Sequence, residues 1–263
     1  MIKRELKYNL KSFLTWIIIS LSLLLLVFLV YPSIANSENI KMMDQMMEIF
    51  PKEVLKAFNM DIASMDSAYG WLKSEGFVFI LLIIGCYAGI LGSNILLKEE
   101  SDKTIEYMHG LPVTRSEIVI SKVIASLIYI VSFVVVIGVF NFIGLLFSGD
   151  FDKGQYLLLS ITPLFPSLLL FFICLFISTF THKTKKMLGI GLGIVLVSYV
   201  IQTLSVMSES VEFLKYFSVF TLADIRNVIL NSSISWVCIL ISDLLSCVFL
   251  FLTLYRYNKK ELI

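Results

Sequence analysis

The run FLTWIIISLSLLLLVFLVY, residues 13–31, carries no charged side chain. A helix of about 20 apolar residues crosses the hydrocarbon core of a bilayer. The whole chain has the same character, since hydrophobic residues make up 58% and charged residues 16% of its 263 residues. Soluble domains are about 45–50% apolar and about 25% charged. The composition therefore predicts a membrane protein and excludes a soluble or disordered chain.

Six apolar runs of this kind occur along the chain, which predicts an all-α membrane protein with six transmembrane helices. The fourth run contains Pro163 and Pro166, so we expect a kink or a broken helix there. The runs are approximately Phe13–Tyr31, Gly76–Leu97, Val123–Phe147, Tyr156–Phe180, Met187–Val206 and Ser235–Leu254.

The distribution of positive charge predicts the orientation. An even number of spans places both termini on one side, and 14 of the 21 Lys and Arg residues fall on that side. Short basic loops mark the cytoplasmic side, so we expect a multi-pass protein of a bacterial cell membrane with both termini cytoplasmic. A cleaved signal peptide is the alternative for the first run, because Ser33-Ile34-Ala35 imitates a cleavage site. We favour an uncleaved span, because the apolar run exceeds the usual 7–15 residues.

Three segments outside the spans have amphipathic patterns. Residues 1–12 place lysines beside apolar residues at helical spacing, which favours an N-terminal interfacial helix; an ordinary positive flank of the first span is the alternative. The outer loop 32–75 carries a methionine cluster, which favours an apolar face over a Cu(I) site because no Cys or His joins it. The outer loop 207–234 is apolar enough to form re-entrant helices. The clustered methionines are Met42, Met43, Met46 and Met47.

Several kinds of chemistry lack support in the sequence. The formal net charge is +1 and no basic stripe is present, which argues against binding of nucleic acid. The four cysteines lie inside apolar runs without metal-ligand spacing, so we expect no metal site. No Ser/His/Asp set, HExxH motif or GxxxxGK[ST] motif occurs. We therefore expect no enzymatic activity and no cofactor in this chain, and any ATP must be hydrolysed by a partner.

The inner loop LLKEESDKTIEYMHGLPVTRSEIVISK, residues 96–122, contains a predicted helix, a turn and a second helix. Gly110-Leu111-Pro112 ends the first helix. Thr114 and Glu117 then match a capping box that starts the helix of the third span. This places an apolar tip among charged residues, as in a docking surface. A tight turn between spans explains the same pattern, and the physics alone leaves both hypotheses open.

This loop resembles the corresponding loop of ABC-2-type transporter permeases. That family commonly has an acidic pair, then Gly-Thr-x-Glu, then Leu-Pro-Val-Ser-Arg, then Gly/Ser-Lys at the third span. The chain departs from the pattern at Lys103, at His109-Gly110 and at Thr114. Its layout of spans, interfacial helix and outer loops is also similar to the family. The matching residues are Glu99-Glu100, Thr104, Glu106, Leu111-Pro112-Val113-Thr114-Arg115 and Ser121-Lys122.

The resemblance implies a permease subunit of an ABC exporter, with residues 13–263 as one six-span domain. It implies a second permease chain, identical or related, and two copies of a cytoplasmic ABC ATPase subunit that binds ATP and Mg. The loop 98–122 would hold the cytoplasmic coupling helix, which docks on the ATPase and transmits force. The implied coupling residues are Glu99, Glu100, Thr104, Glu106, Leu111, Pro112 and Arg115.

Asp243 supports an alternative function. It lies inside the last span, where an ionisable residue is costly and is a functional candidate. An ion- or proton-coupled secondary transporter using Asp243 is therefore the second hypothesis, although a structural role for Asp243 is favoured over a transport site. A membrane scaffold or peptide sensor is the third. The high aromatic content, 13%, favours an amphipathic or lipophilic substrate such as a peptide, antibiotic or lipid.

Overall fold

The structure, a computed structural model, describes residues 1–34, 67–101, 113–207, 209–223 and 225–260. Within these ranges the backbone forms helices and turns without a β-strand, which confirms the predicted all-α fold. Six helices in the described ranges are long and apolar enough to cross a membrane, as predicted. They are Ile2–Pro32, Phe77–Asn94, Arg115–Ser148, Lys153–Ser178, Thr184–Met207 and Trp236–Lys259.

Helix α1, Ile2–Ile34, is a single helix of 33 residues. It contains both the predicted interfacial segment 1–12 and the first span, with no break between them. Leucine, isoleucine and lysine side chains all favour this continuity, since none of them interrupts a helix. The location of residues 1–12 on the membrane surface stays a prediction.

The second span begins irregularly and ends before the inner loop. A short helix, α2 (Ala68–Trp71), continues into one π-helical turn, Leu72–Gly76, and then into α3 (Phe77–Asn94). After a turn, α4 (Lys98–Ser101) extends the chain toward residues 102–112. The helical start of the predicted coupling loop is therefore interrupted at residues 95–97.

Helix α5, Arg115–Ser148, contains the third span and has 34 residues. The Thr114 side chain accepts a hydrogen bond from the backbone N–H of Glu117, and the Glu117 carboxylate accepts one from the backbone N–H of Thr114. This is the predicted capping box, which satisfies two backbone donors that a helix start otherwise leaves unpaired. The helix is capped by Gly149, whose φ is 140°. Glycine adopts this angle without strain, whereas other residues do not.

The fourth span is broken, as its prolines predict. Helix α6 (Lys153–Ile161) and helix α7 (Leu164–Ser178) are separated by a turn at Thr162 and Pro163. Pro163 cannot donate a backbone hydrogen bond, and its ring clashes with the preceding helical turn. Pro166 lies in the first turn of α7, where the missing N–H costs nothing.

The remaining chain contains the last two spans and a region of short helices. Helix α8 (Thr184–Met207) is followed by two 3-10 segments, Glu209–Phe217 and Val219–Ala223, and by α9 (Ile225–Asn231). The expected short helices of residues 207–234 are therefore present, and their insertion into the membrane stays a prediction. Helix α10, Trp236–Lys259, is the last span.

Helix α3 is the centre of the bundle and has the most buried span, whereas α1 and α10 have the least buried ones. It packs against α7 and α8, α1 packs on α5, and α10 packs on α7. The rings of Tyr87 and Phe133 stack with centroids 4.6 Å apart and join α3 to α5. Gly92 allows the backbones of α3 and α7 to lie close together, because a Cβ there would lie 2.3 Å from the carbonyl oxygen of Phe171 in α7.

Gln155 joins three elements at the end of the bundle far from the termini. Its side-chain oxygen accepts hydrogen bonds from the Tyr69 hydroxyl (3.0 Å) and the Lys73 ammonium (3.2 Å). Its amide nitrogen donates to the carbonyl oxygen of Ile229 (2.9 Å). These bonds connect the start of the second span to α6 and α9.

Candidate functional site

The termini and the predicted coupling residues meet at one end of the bundle, which we call the terminal end. Glu99 and Glu100 lie in α4, and Arg115 is the first residue of α5. Arg4 near the N-terminus and Lys260 near the C-terminus both contact α4, so both termini lie at this end. The other predicted coupling residues lie outside the described part of the chain; these are Thr104, Glu106, Leu111 and Pro112.

Glu99 forms an ion pair with the buried Lys122. The Lys122 ammonium donates to the Glu99 carboxylate (2.5 Å) and to the carbonyl oxygen of Ile95 (2.7 Å), and it lies 3.7 Å from the Glu5 carboxylate. Its side chain has 0% exposure. A charged group that water cannot reach must be paired with an opposite charge and hydrogen-bonded. The three oxygens around the Lys122 ammonium provide these interactions. The pair therefore fixes the start of the inner loop to α1 and α5.

Glu100 forms a second cluster, on the other side of α4. One carboxylate oxygen accepts from the Lys260 ammonium (2.7 Å), and the other lies 2.8 Å from Nδ1 of His182. Lys260 also donates to the carbonyl oxygen of Thr181 (2.8 Å). Charge-assisted bonds of this length are stronger than neutral ones. Glu100 thus connects α4 to the loop between α7 and α8 and to the segment after α10.

Arg115 binds the same C-terminal segment from the far side of the loop. Its guanidinium donates to the carbonyl oxygens of Lys260 (2.9 Å) and Asn258 (3.2 Å). Lys260 is therefore bound by both ends of the loop: its ammonium by Glu100, and its carbonyl by Arg115. Short bonds thus connect both loop ends to one residue after the last span.

Sequence reasoning named the acidic pair and Arg115 but not their partners. Lys122 was named only as part of the family pattern. Its position carries a further signal, because Ile118, Lys122 and Tyr129 recur at helical spacing and all lie on the buried face of α5. For Lys260 and His182 the sequence shows only basic flanks of spans. Their partner Glu100 lies 160 and 82 residues away, respectively.

Asp243 lies on the surface of α10, away from this cluster. Asp243 is exposed. The buried positions of the same helix are Ser242, Ser246, Thr253 and Tyr257. Among the described residues, no hydrogen bond or ion pair to its carboxylate is present. An interhelical bond within the described chain therefore does not account for Asp243.

Three uncharged polar residues within the spans, Gln202, Asn141 and Asn94, have different environments. Gln202 accepts a hydrogen bond from the Thr221 hydroxyl (2.5 Å), which joins α8 to the second 3-10 segment. Asn141 is buried in α5. Asn94 lines a small cavity beside α1.

A family model described as ABC-2 family transporter protein matches residues 1–262. The chain belongs to this family. Comparison with curated proteins gives no significant match. Membership covers the six spans and the terminal end alike, so it identifies this ABC-2 family protein as a multi-pass permease subunit of an ABC transporter.

The family assignment also explains the absence of an ATPase motif in this ABC-2 family chain. In ABC transporters of this family the transmembrane chain is not itself the ATPase, and it associates with an ATP-binding subunit. In this permease, the buried charges of the terminal end are thus a candidate connection between such a subunit and the spans.

Proposed function

We propose that this chain is the transmembrane subunit of an exporter driven by ATP, with Mg-ATP bound on two copies of a separate ATPase. A second permease chain completes the pathway. The loop between α4 and α5 docks on the ATPase, and the terminal end passes its movement to the spans. The cargo is amphipathic or lipophilic, in keeping with the aromatic and apolar composition.

One observation carries this proposal: the two ends of the loop bind a single residue, Lys260, while the acidic pair also contacts α1, α5 and the loop between α7 and α8. Glu99 faces α5 and Glu100 faces the loop between α7 and α8. A tight turn between two spans has no need of buried ion pairs to distant segments, which are costly to desolvate. A loop that transmits force needs stiff, short connections of this type.

The test replaces Glu100 by Gln in the permease co-expressed with its ATPase partner. We expect the complex to form and hydrolyse ATP while transport per ATP falls about tenfold or more. Charge-assisted hydrogen bonds contribute about 1.5–3 kcal/mol each, and about 1.4 kcal/mol is tenfold. The matched control is Lys215→Gln, which breaks the exposed pair between Lys215 and Glu212 and leaves transport unchanged.

Docking is tested separately by a Pro112→Ala, Glu106→Lys double variant. Mild-detergent purification of the wild-type chain is expected to retain an ATP-binding subunit, and the double variant is expected to lose it. A wild-type chain that purifies alone and still transports contradicts the proposal. Transport of small inorganic ions only would contradict the assignment of the cargo.

Asp243→Asn distinguishes the exporter from the secondary transporter. Since Asp243 is remote from the terminal end, the exporter proposal expects ATP-driven transport to continue in this variant. The second hypothesis would be favoured instead if the wild-type chain transports without ATP and with a steep dependence on pH, and the variant loses this transport.

A further inference from the structure

Two segments that are far apart in the sequence form a basic patch at the terminal end. Lys183, in the loop between α7 and α8, and Arg256, in the last turn of α10, are both exposed. The Arg256 guanidinium lies over the Phe180 ring, 4.1 Å from its centroid. Lys260 donates to the carbonyl oxygen of Thr181 (2.8 Å), so the loop is held beside the end of α10. We call Phe180, Lys183 and Arg256 the basic patch.

The positive charges of the basic patch are not neutralised by a carboxylate of the described chain. Within the described ranges, the side chains of Arg256 and Lys183 form no ion pair and no hydrogen bond. Glu100 is the carboxylate next to the loop, but its two oxygens bind Lys260 and His182, and its side chain has 2% exposure. Arg256 and Lys183 are thus available to an anion that approaches from outside the bundle.

The contact with Phe180 prepares Arg256 for an anionic ligand. A cation over an aromatic face is attracted by the ring, so the side chain holds one position before a ligand arrives. Its five N–H donors form a rigid fork that matches two oxygens of a phosphate. A side chain that is already ordered loses less freedom on binding. Lys259, by contrast, donates to the Tyr255 hydroxyl (2.5 Å) of its own helix, and we do not assign it to the site.

The apolar surface below the basic patch indicates that the anion is the headgroup of a lipid. Helix α7 ends at Ser178 and α10 at Lys259, so the patch lies where two apolar spans end. A row of rings continues from it into the spans, with centroids 5.2 Å apart for Phe180 and Phe176 and 5.8 Å apart for Phe176 and Phe249. A lipid presents a phosphate at this level with acyl chains beneath it, so it matches both surfaces. An acidic soluble protein matches the charges alone.

We propose that the basic patch binds the phosphate of an anionic phospholipid in the leaflet at the terminal end. Arg256 donates two hydrogen bonds to the phosphate oxygens, and Lys183 contributes a second positive charge. The acyl chains lie along Phe176 and Phe249. The lipid connects the end of α10 to the loop between α7 and α8, next to Lys260. Any effect of the lipid on coupling rests on the proposed function, but the binding site itself does not.

The test uses the purified chain without any ATPase, so its outcome is independent of the exporter proposal. Native mass spectrometry measures how much phosphatidylglycerol the chain retains after release from detergent micelles that contain this lipid and phosphatidylcholine. We expect Arg256→Gln to weaken retention of phosphatidylglycerol about tenfold, since hydrogen bonds from a charged donor are worth this factor or more. Arg256→Lys keeps the charge without the planar fork, and we expect it to retain an intermediate amount.

The matched control is Lys11→Gln, which removes an exposed positive charge of α1 at the same end of the bundle. We expect it to retain phosphatidylglycerol as the wild type does, and we expect all three variants to elute as folded chains on size exclusion. Equal loss in Lys11→Gln and Arg256→Gln, or equal retention by Arg256→Gln and the wild type, overturns the site.

Two further measurements separate a lipid from the other anions that could bind the basic patch. Inorganic phosphate is the probe for a free phosphate, and its Arg256-dependent binding without retention of phosphatidylglycerol overturns the lipid assignment. The second measurement is co-purification of the ATP-binding subunit with Arg256→Gln. Weaker co-purification together with unchanged retention of phosphatidylglycerol assigns the basic patch to protein docking instead.

Discussion

At the scale of single residues, the terminal end depends on cations without access to water. Lys122 has 0% side-chain exposure and Lys260 has 5%. An ammonium in such a place is stable only while carboxylates and carbonyl oxygens surround it. Each lysine has at least one carboxylate and one carbonyl oxygen within 2.8 Å. The first prediction follows from this dependence.

Replacing Lys122 by Leu leaves the largely buried carboxylate of Glu99 without its hydrogen-bonded cation, and leaves the buried carboxylate of Glu5 with Arg4 alone. We expect the free energy of unfolding to fall by about 3–5 kcal/mol, the usual cost of breaking a buried pair. Unfolding in detergent, followed by circular dichroism with increasing denaturant, gives this value.

The double variant Lys122→Leu, Glu99→Leu removes both charges and is expected to recover much of the loss, because a buried pair contributes little net stability. The control Lys215→Met affects an exposed pair and is expected to cost about 0–1 kcal/mol. Equal stability of Lys122→Leu and the wild type would show that Lys122 is hydrated rather than buried.

At the scale of helices, two identical small-residue motifs have different surroundings. Gly85 and Gly89 in α3 face neighbouring helices, since a Cβ would lie 2.8 Å from Phe220 and 2.8 Å from Val195, respectively. Gly189 and Gly193 in α8 have no described atom within 4 Å of such a Cβ. The same sequence pattern therefore packs within the bundle in α3 and faces outward in α8.

Gly92→Ala is expected to destabilise the bundle by about 1–3 kcal/mol, the usual cost of overpacking. Its Cβ would lie 2.3 Å from the Phe171 carbonyl oxygen, and backbone atoms of α7 cannot rotate away. The measurement is the thermal unfolding of the purified single chain.

Gly189→Ala is the matched control, with the same substitution in another span. It is expected to leave stability unchanged or raise it slightly, because alanine favours a helix over glycine by about 1 kcal/mol. If both variants lose equal stability, the close approach of α3 and α7 does not decide the packing.

At the scale of the whole molecule, the arrangement of the helices has a consequence for orientation. Both termini and the inner loop lie at the terminal end, and Gln155 and the short helices lie at the other. The bias of Lys and Arg toward the terminal end predicts that this end is cytoplasmic. The bundle crosses the membrane as one unit, so two reporters are enough to test this.

A fluorescent protein fused after residue 263 is expected to fluoresce in a bacterial host with a periplasm, because it folds in the cytoplasm. Alkaline phosphatase inserted between residues 149 and 152 is expected to be active, because it requires the opposite side. Fluorescence and phosphatase activity are both measured in whole cells. The reverse result would place the inner loop outside the cell, where no ATPase could reach it, and would contradict the exporter proposal.

Sequence alone determined the features that depend on neighbouring residues. Hydropathy predicted six spans, Pro163 predicted the break between α6 and α7, and Thr114 with Glu117 predicted the start of α5. Each of these is a local property, because a helix is satisfied by its own backbone in the membrane and its caps lie within four residues. The resemblance of the inner loop to a known family was carried by consecutive residues as well.

Only the tertiary structure decided which groups meet. Glu99 pairs with a lysine 23 residues away, and Glu100 pairs with one 160 residues away. The outward face of Asp243 and the contrast between Gly89 and Gly189 were decided in the same way. Buried ion pairs and close helix contacts depend on how the spans pack, and the sequence of one span does not show which other spans contact it.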